Sequence, residues 1–537
     1  PLWTNTLSYN TSFGSHNIGV IAGYEVQDFT TETLGGAGIN ELTNDLQTPG
    51  SIDNDVVSGG TFEDGLVSYF GRLNYDYEGK YLLQAAIRRD GYSRFGPNNK
   101  WGIFPSVSVG WNIAREPFLN TNQNISNLKL RASWGRTGNN NALGRYEYQP
   151  TVRTGFTYNF GPGSGQVIGS TIPGLANEAL KWETTTMTNI GFDLGLFEDA
   201  ITLSTEYFVN TTEDILLSVP LASSLGLDRN VRVNAGDIES SGVEFTLGVQ
   251  NRKNAFKWGV DANFATQDNE VISLGTGNPI NGRNWQGDIL TRVEEGQPIY
   301  FFQGWQVDRL FQSDDFNADG SLKDGLPSQN GAAPGDIKFM DIAGPDDENG
   351  NPTGPDGVID ANDRTNLGSP IPTYTFGLTG NFEYKNFDLS IFLQGVGGNK
   401  IFKAYAYWTQ GMTRVFNGES VLLNRWTPTN TNTDVPRAVS GDPNRNARAS
   451  DRFIDDGDYI RLKNVTLGYT LNTSNTQWLS SMRFYISAQN LLTFTNYEGY
   501  DPEVSVFQGA NFNNAFGIDL GQLPQARTFI VGLQASF

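Results

Sequence analysis

Alternation of apolar and small polar residues repeats from one end of this chain to the other. In the run 190–196, apolar residues occupy one face of the predicted strand, and glycine and polar residues occupy the other. The run 201–209 repeats this pattern after a short break. The same period of two recurs at 243–249, 256–264, 374–378, 387–393 and 529–537. A period of two is typical of β-strands, and two such runs joined by a short break indicate a hairpin. We count about 17 or 18 such strands, each close to the ten or so residues that cross a bilayer at a tilt.

The composition of the second strand face and the lengths of the connections distinguish a membrane barrel from a soluble β-sandwich. The second face carries mostly Gly, Ser, Thr, Asn and Gln, which suits a hydrated lumen. Tight turns at 77–80, 197–200 and 384–386 alternate with long polar connections at 28–64, 311–370, 397–456 and 493–525. Compact soluble domains seldom contain so many long loops. We therefore predict an all-β fold, a large antiparallel transmembrane β-barrel. A secreted soluble β protein, such as an adhesin or lectin, is the competing interpretation.

Tryptophans recur near the ends of the predicted strands. Aromatic girdles at the two membrane–water interfaces and ordinary packing both explain this recurrence. The six residues are Trp101, Trp111, Trp134, Trp182, Trp258 and Trp478.

Composition excludes several kinds of chemistry. The 537 residues contain no Cys, which excludes disulfides and thiolate zinc sites. The single histidine, His16, excludes multi-histidine metal sites and leaves Ser-His-Asp catalysis no place elsewhere in the chain. Lys and Arg number 37 against 58 Asp and Glu, which gives a net charge of −21. Such a chain repels nucleic acid phosphates, so no nucleic acid partner is expected.

Seven segments of the sequence indicate a particular protein family more specifically than the alternation does. They resemble, in the same order, the barrel of SusC/RagA-type TonB-dependent outer-membrane transporters. The segments are 71–118, 128–140, 182–196, 334–402, 458–471, 483–504 and 523–537. Together they extend over nearly the whole chain.

The resemblance implies a barrel of about 22 strands with a plugged lumen. It also implies an N-terminal plug with a TonB box and a SusD-like surface lipoprotein over the extracellular mouth. On this interpretation residues 1–537 form the C-terminal part of the barrel, the later 17 or 18 strands. The plug and first strands would come from an upstream portion of the same transporter, because an open sheet cannot face hydrocarbon.

The function implied by the resemblance is active import of an oligosaccharide or peptide across the outer membrane of a Gram-negative bacterium. The lipid bilayer, the SusD-like lipoprotein and the TonB complex, acting through the plug, are the expected partners. The alternative is a transporter-derived barrel that serves as a structural or assembly subunit of a larger outer-membrane complex. Neither function requires a cofactor. Paired carboxylates such as Asp346 and Asp347 are common in hydrated loops, so no enzyme activity is expected.

An acidic stretch between residues 311 and 364 resembles halves of an EF-hand loop. Asp315, Asn317 and Asp319 precede a glycine in the pattern of the first half, where alternating oxygens can converge on one Ca²⁺. The second half matches at Asp356, Asp360 and Asp363, but residues 343–355 separate Asp341 from them. Two interpretations stay open, a structural calcium site and an acidic solvated loop.

Aromatic residues in the predicted loops are the candidates for substrate contact. Aromatic rings can stack on sugar rings or peptide side chains. They can equally pack loops together or face the lipoprotein. The candidates are Trp285, Trp305, Tyr405, Tyr407 and Trp408.

Overall fold

The computed structural model describes residues 1–41, 52–141, 143–159, 161, 165–172, 174–219, 224, 231–275, 277–348, 353–413, 416–471, 478–504 and 516–537. Strands dominate these ranges. The helical elements are α1 at Ala406–Thr409 and 3-10 turns at Ile113–Arg115, Ser313–Asp315, Ser420–Asn424 and Asp451–Phe453. All helices in the described ranges are too short to span a bilayer.

The strands are numbered in chain order. Strands β1 to β10 are Leu2–Phe13, His16–Glu41, Ile52–Tyr77, Tyr81–Tyr92, Trp101–Asn112, Ile125–Asn139, Arg153–Asn159, Gln166–Thr171, Glu183–Leu196 and Ile201–Glu213. Strands β11 to β20 are Leu216–Val219, Val231–Asn234, Asp237–Asn251, Phe256–Thr266, Asp268–Ser273, Ile280–Asn281, Asn284–Trp285, Asp288–Ile289, Thr291–Val293 and Phe301–Gly304. Strands β21 to β31 are Val307–Leu310, Ile337–Phe339, Thr365–Asn366, Tyr374–Tyr384, Phe387–Gly397, Lys400–Lys403, Ile454–Asp456, Tyr459–Leu471, Ser481–Thr495, Ile518–Asp519 and Thr528–Ser536.

Sixteen strands form one large antiparallel sheet. Its order is β1-β2-β3-β4-β5-β6-β9-β10-β13-β14-β24-β25-β28-β29-β31, with β15 paired to β13. Each strand on this path therefore lies beside the sheet strand that precedes it in sequence. The predicted all-β antiparallel fold is confirmed, with 16 strands in the sheet against the 17 or 18 counted from the sequence.

The connections differ at the two ends of the strands. Successive connections lie at opposite ends because neighbouring strands run antiparallel. One end has the turns 14–15, 78–80, 197–200, 252–255 and 385–386, whereas the other has the connections 140–182, 214–236, 267–373, 398–458 and 496–527. The three predicted tight turns are all present. Their backbone enters the left-handed region, for example at Glu78, Glu198 and Lys385 with φ of 54°, 59° and 54°.

The register shows how the two faces alternate. Val107 lies between Ala85 on β4 and Trp134 on β6, and the neighbouring Ser108 lies between Gln84 and Ser133. Apolar and polar rows therefore alternate across three strands. The side chains in the apolar rows are open to the surroundings, with Val107 39% and Trp134 40% exposed. Such wide apolar surface matches the lipid-facing side of a membrane barrel.

The predicted loop at 28–64 is wrong over its described residues. Strands β2 and β3 continue as one long hairpin through Asp28↔Gly65 and Thr33↔Gly60 to Glu41↔Ile52. Its apolar residues, such as Phe29, Leu34 and Phe62, are scattered among polar residues, so no regular apolar alternation marks these strands. Local backbone pairing and β-branched Thr and Val residues favour the extended conformation instead.

The chain divides into two compact units. Residues 1–122, 127–192 and 208–238 form the first, and residues 123–126, 193–207 and 239–537 form the second. A small core in the first unit contains Phe95 and Trp182, whose rings stack at 4.9 Å. Trp182 is only 7% exposed, so this tryptophan packs a core and is no part of an interfacial girdle.

The second unit contains two apolar clusters, both built largely from the long connections. One includes Phe302, Phe402 and Phe453, and the other includes Ile337 and Phe339. These connections are thus folded around cores of their own. Residues 505–515 of the last predicted loop lie outside the described residues.

Candidate functional site

Four of the five candidate aromatic residues come together in one cluster of the second unit. Trp285 lies 5.1 Å from Trp408 and 6.3 Å from Tyr407, measured between ring centroids, and meets both rings edge-on. Tyr405 packs against the same cluster. Trp285 is 8% exposed, so its ring packs the loops together.

Trp305 belongs to the other apolar cluster, with Ile337 and Phe339. It is 4% exposed, and its indole N–H donates a 2.7 Å hydrogen bond to the carbonyl oxygen of Asp360. Trp305 and Tyr407 each line a cavity. The structure therefore gives these aromatic residues a packing role, and substrate contact stays a prediction for all five.

The first acidic group is held by neighbouring side chains and backbone. Asp315 accepts two hydrogen bonds from the Arg309 guanidinium, at 2.6 and 2.8 Å. The guanidinium holds the pKa of Asp315 below its usual value. Asp319 accepts bonds from the hydroxyl and N–H of Ser321, which lower its pKa, while the Asn317 amide donates to the Ser321 hydroxyl at 3.1 Å.

The second acidic group serves mainly as acceptors for backbone N–H groups. Asp341 accepts from Asp356 and Gly357, at 3.2 and 2.8 Å. Asp363, which is fully buried, accepts from Ile342 at 2.7 Å and, through its other oxygen, from Asp360 at 2.7 Å. These bonds connect Asp341 to the backbone at 356–357, and Asp363 to the backbone of Ile342 and Asp360.

Carboxylates that could share a cation are not grouped in the described part of the chain. No set of three or more His, Cys, Asp or Glu residues there is placed to hold a metal ion. Hydrogen bonds within the protein use at least one carboxylate oxygen of each of the six aspartates in the EF-hand-like pattern. The arrangement fits a self-satisfied acidic loop, and calcium binding stays a prediction.

A polar cleft lies next to the aromatic residues and was not predicted from the sequence. Two cavities, of about 250 and 310 Å³, share Asp288, Arg445 and Arg448 in their walls. Asp288 is positioned by the two-residue turn between β17 and β18, where Gln286 and Gly287 have φ of 51° and 92°. Tight hairpins of this kind require positive φ, which glycine adopts without strain.

Asp288 connects the cleft to the segment 442–449 through hydrogen bonds. Its carboxylate accepts bonds from Arg445 Nη2 at 2.6 Å and from the N–H of Ala449 at 3.2 Å. Asp442 in turn accepts from the N–H groups of Asn446 and Ala447, at 2.7 and 3.0 Å. The segment is therefore fixed at both ends.

Arg448 is the most buried cation of the cleft, at 8% exposure. Its guanidinium carbon lies 4.4 Å from the ring centroid of Phe339 and 5.0 Å from that of Trp305. Burial, together with the nearby Arg445, lowers the pKa of Arg448 to about 10, so the group is still charged at neutral pH. Arg364 lies against the Trp305 ring too, at 5.4 Å, and burial lowers its pKa as well.

A sequence signal for this cleft exists. Residues 444–452 contain three arginines, Arg445, Arg448 and Arg452, in a chain with a large excess of acidic residues. Basic residues clustered in an acidic protein are informative, but Asp288 lies 157 positions away from Arg445. No local spacing connects the two.

Residues 2–394 match the family model described as "TonB dependent receptor-like, beta-barrel". The chain belongs to this family. Outer-membrane TonB-dependent receptors with the same barrel fold are its relatives, in agreement with the resemblance found in the sequence.

Curated relatives extend over almost all of the chain. TonB-dependent receptor P3 of Formosa agariphila is 35% identical over 546 residues, which cover 99% of this chain and 52% of the receptor. TonB-dependent receptor SusC of Bacteroides thetaiotaomicron is 30% identical over 537 residues, which cover 99% of this chain and 49% of SusC. The chain thus spans about half the length of the curated relatives it matches.

A solved structure shows the same fold. The chain superposes on the RagAB peptide transporter with a TM-score of 0.80 and 24% identity, over 100% of this chain and 55% of that one. The SusC/RagA-type resemblance is confirmed by these matches.

Proposed function

We propose that this chain forms the barrel wall and outer loops of an importer that carries an oligosaccharide or a peptide across the outer membrane of a Gram-negative bacterium. The observation that carries the proposal is the antiparallel meander with its exposed apolar rows, in a chain of the TonB-dependent receptor family. The names of the relatives support it, since they include SusC and a peptide transporter. The relatives are receptors and transporters, so we infer no covalent chemistry.

The whole transporter would contain more than these residues. We infer a plug that meets the TonB complex, supplied by an upstream portion of the same protein, and a SusD-like lipoprotein over the long loops. Within the described residues, β1 pairs only with β2 and exposes Leu2, Trp3, Leu7 and Tyr9. An edge strand with this much apolar surface suits pairing with further strands in a membrane.

The polar groove near the short turns suits a plug. A cavity of about 720 Å³ in the first unit is lined by more polar than apolar residues; the polar ones include Asn10, Asn74, Gln84 and Lys129, and the apolar ones include Leu82. Polar walls of this kind bind a hydrated protein segment better than they bind lipid. The polar residues that would surround a plug therefore support its presence in the whole transporter.

The test is isolation of the intact complex from the native membrane in mild detergent, followed by mass spectrometry of every chain. We expect plug peptides on the same polypeptide and a co-purifying surface lipoprotein. A strain lacking the gene should lose uptake of one fluorescent oligosaccharide or peptide, and the full-length gene should restore it. Unimpaired uptake of every nutrient tested, together with co-purifying subunits unrelated to transport, would favour the structural-subunit alternative instead.

A further inference from the structure

Two arginines in the cleft of the second unit have no carboxylate partner. Among the described residues, Arg445 is paired with Asp288, but neither Arg364 nor Arg448 forms an ion pair. This is unexpected in a chain with a net charge of −21, where the other buried cations among the described residues, Lys403 and Arg461, are each paired with an aspartate. A buried charge without an acidic partner is costly, so an unpaired arginine in the wall of a cavity is a candidate for ligand binding.

The two guanidinium groups keep free donors. Arg364 uses only Nε, which donates to the carbonyl of Ala361 at 3.0 Å. Arg448 uses Nε and Nη2, which donate to the carbonyls of Arg445 and Asn444 at 3.1 and 2.6 Å. The backbone bonds fix the orientation of each group, and both side chains line the 310 Å³ cavity. Preorganised donors of this kind bind anions well, because little side-chain freedom is lost on binding.

The charge balance of the cavity selects the anion. Three arginines, at 364, 445 and 448, and two aspartates, Asp288 and Asp360, line it, which leaves a net charge of 3 − 2 = +1. A single monoanion is therefore compensated, whereas a phosphate dianion is not. The volume is at the small end of the roughly 300–1,000 Å³ usual for ligand cavities, so it accommodates one group and not a whole chain.

Trp305 provides the apolar part of the same wall. Its ring lies against both unpaired guanidinium groups, and its own N–H is held by Asp360. The ring is thus fixed beside the free donors. Because the ring is almost fully buried, its role in the cleft is to hold the two guanidinium groups in position.

We propose that the cleft formed by Arg364, Arg448 and Trp305 binds a carboxylate of the imported ligand. This inference rests on the proposed import function and narrows its substrate to acidic chains. Two sources share this chemistry, a uronate residue of an acidic oligosaccharide and the carboxylate of a peptide.

The experiment uses the full-length transporter purified with its native partners, and isothermal titration with two pairs of probes. The first pair is trigalacturonate and its methyl ester, and the second is a tripeptide with a free C-terminus and its C-terminal amide. We expect the acidic member of one pair to bind about 10- to 100-fold more tightly than its neutral counterpart, the usual range for one or two charge-assisted hydrogen bonds. The pair that shows the difference identifies the source.

Variants locate the effect. Arg364→Gln and Arg448→Gln should each remove most of the preference for the acidic probe, and Arg448→Lys should restore part of it because the charge is kept. Arg425→Gln is the matched control, since Arg425 is an exposed arginine outside the cleft. Because Arg448 bonds to backbone, amide exchange of residues 444–449 in Arg448→Gln would show whether the segment still folds, and Arg364→Gln tests the proposal even if it does not.

Three outcomes would overturn the proposal. The first is equal affinity for the acidic and neutral members of both pairs, or no binding of any probe. The second is an unchanged preference in Arg364→Gln. The third is weaker co-purification of the lipoprotein in Arg364→Gln with unaltered probe binding, which would make the cleft a contact for that partner. In each case, continued uptake of a neutral nutrient would leave the import function standing, so the two proposals fail separately.

Discussion

Replacement of Arg437 by alanine should loosen the loop core beneath the arginine cleft. Asp336 is fully buried and accepts two bonds from the Arg437 guanidinium, at 2.8 and 3.0 Å. It accepts two more, from the Asn446 amide and the N–H of Ala333, both at 2.9 Å. Since Asn446 is two residues from Arg448, this network holds the segment that positions the cleft.

The loss of stability in Arg437→Ala follows from the buried Asp336 carboxylate that is left without its cation. Removing one partner of a buried ion pair costs about 3–5 kcal/mol, because the other charge is left without compensation. Arg437 has a side chain that is 26% exposed, so water can reach part of the vacated position. We therefore expect the lower end, about 3 kcal/mol, which corresponds to roughly a 100-fold larger opening constant of the loop core.

Hydrogen exchange measured by mass spectrometry is the assay. In Arg437→Ala, the exchange rate of amides that exchange through local opening should rise by about 100-fold in peptides around Ile337. The N–H of Ile337 donates a hydrogen bond to Asn446. Lys253→Ala is the control, because that lysine and its partner Glu198 are 80% and 79% exposed and should contribute little. Exchange around Ile337 that stays within about threefold of the unaltered protein would refute the reasoning.

Three further predictions concern the sheet, the aromatic cluster and the acidic loop. Ile486→Arg, in the exposed apolar row of β29, should lower barrel stability by about 2–4 kcal/mol near the bilayer midplane, seen as a lower temperature of the heat-induced gel shift, while Ile486→Leu should have no effect. Trp285→Ala should cost about 3–5 kcal/mol in the loop core, measured by protease sensitivity, and Trp285→Phe clearly less; equal sensitivity of the two would contradict a packing role. Because Arg309 lowers the pKa of Asp315, this pair stabilises the loop above the ordinary carboxyl pKa of about 4 and is lost as pH falls through the lowered value. Exchange at the amide of Gln312, which donates to Asp315, should therefore accelerate on acidification to about pH 3, and a rate that changes only by intrinsic chemistry would argue against it.

The sheet could be predicted because its information is local. A strand with one face in apolar surroundings shows alternating apolar and polar residues within its own sequence. A tight turn such as 384–386 is recognisable from the alternating runs directly before and after it. The hairpin at 28–64 lacked this signal because its apolar residues are few and do not alternate regularly. Its strands are recognisable only through their pairing with each other.

The cleft could not be predicted for the opposite reason. It depends on the meeting of Asp288 and Arg364, which lie 76 positions apart in the connection 267–373, with Arg448 of the connection 398–458. The aromatic candidates were found by residue type, but residue type does not reveal burial. Trp285 and Trp305 therefore looked like surface platforms, although both are more than nine-tenths buried.

The β2–β3 hairpin is much longer than a membrane crossing requires. Strand β2 has 26 residues, which at about 3.3 Å each would reach some 85 Å along the strand, against an apolar band about 25 Å tall. Even at a tilt of about 40°, more than half of that reach lies outside the hydrocarbon. The far half of the hairpin lies at the end of the sheet that has the long connections. This part of the hairpin can therefore meet large molecules well above the lipid headgroups, and Leu34, whose side chain is 84% exposed, is a suitable position for a fluorophore that reports their arrival.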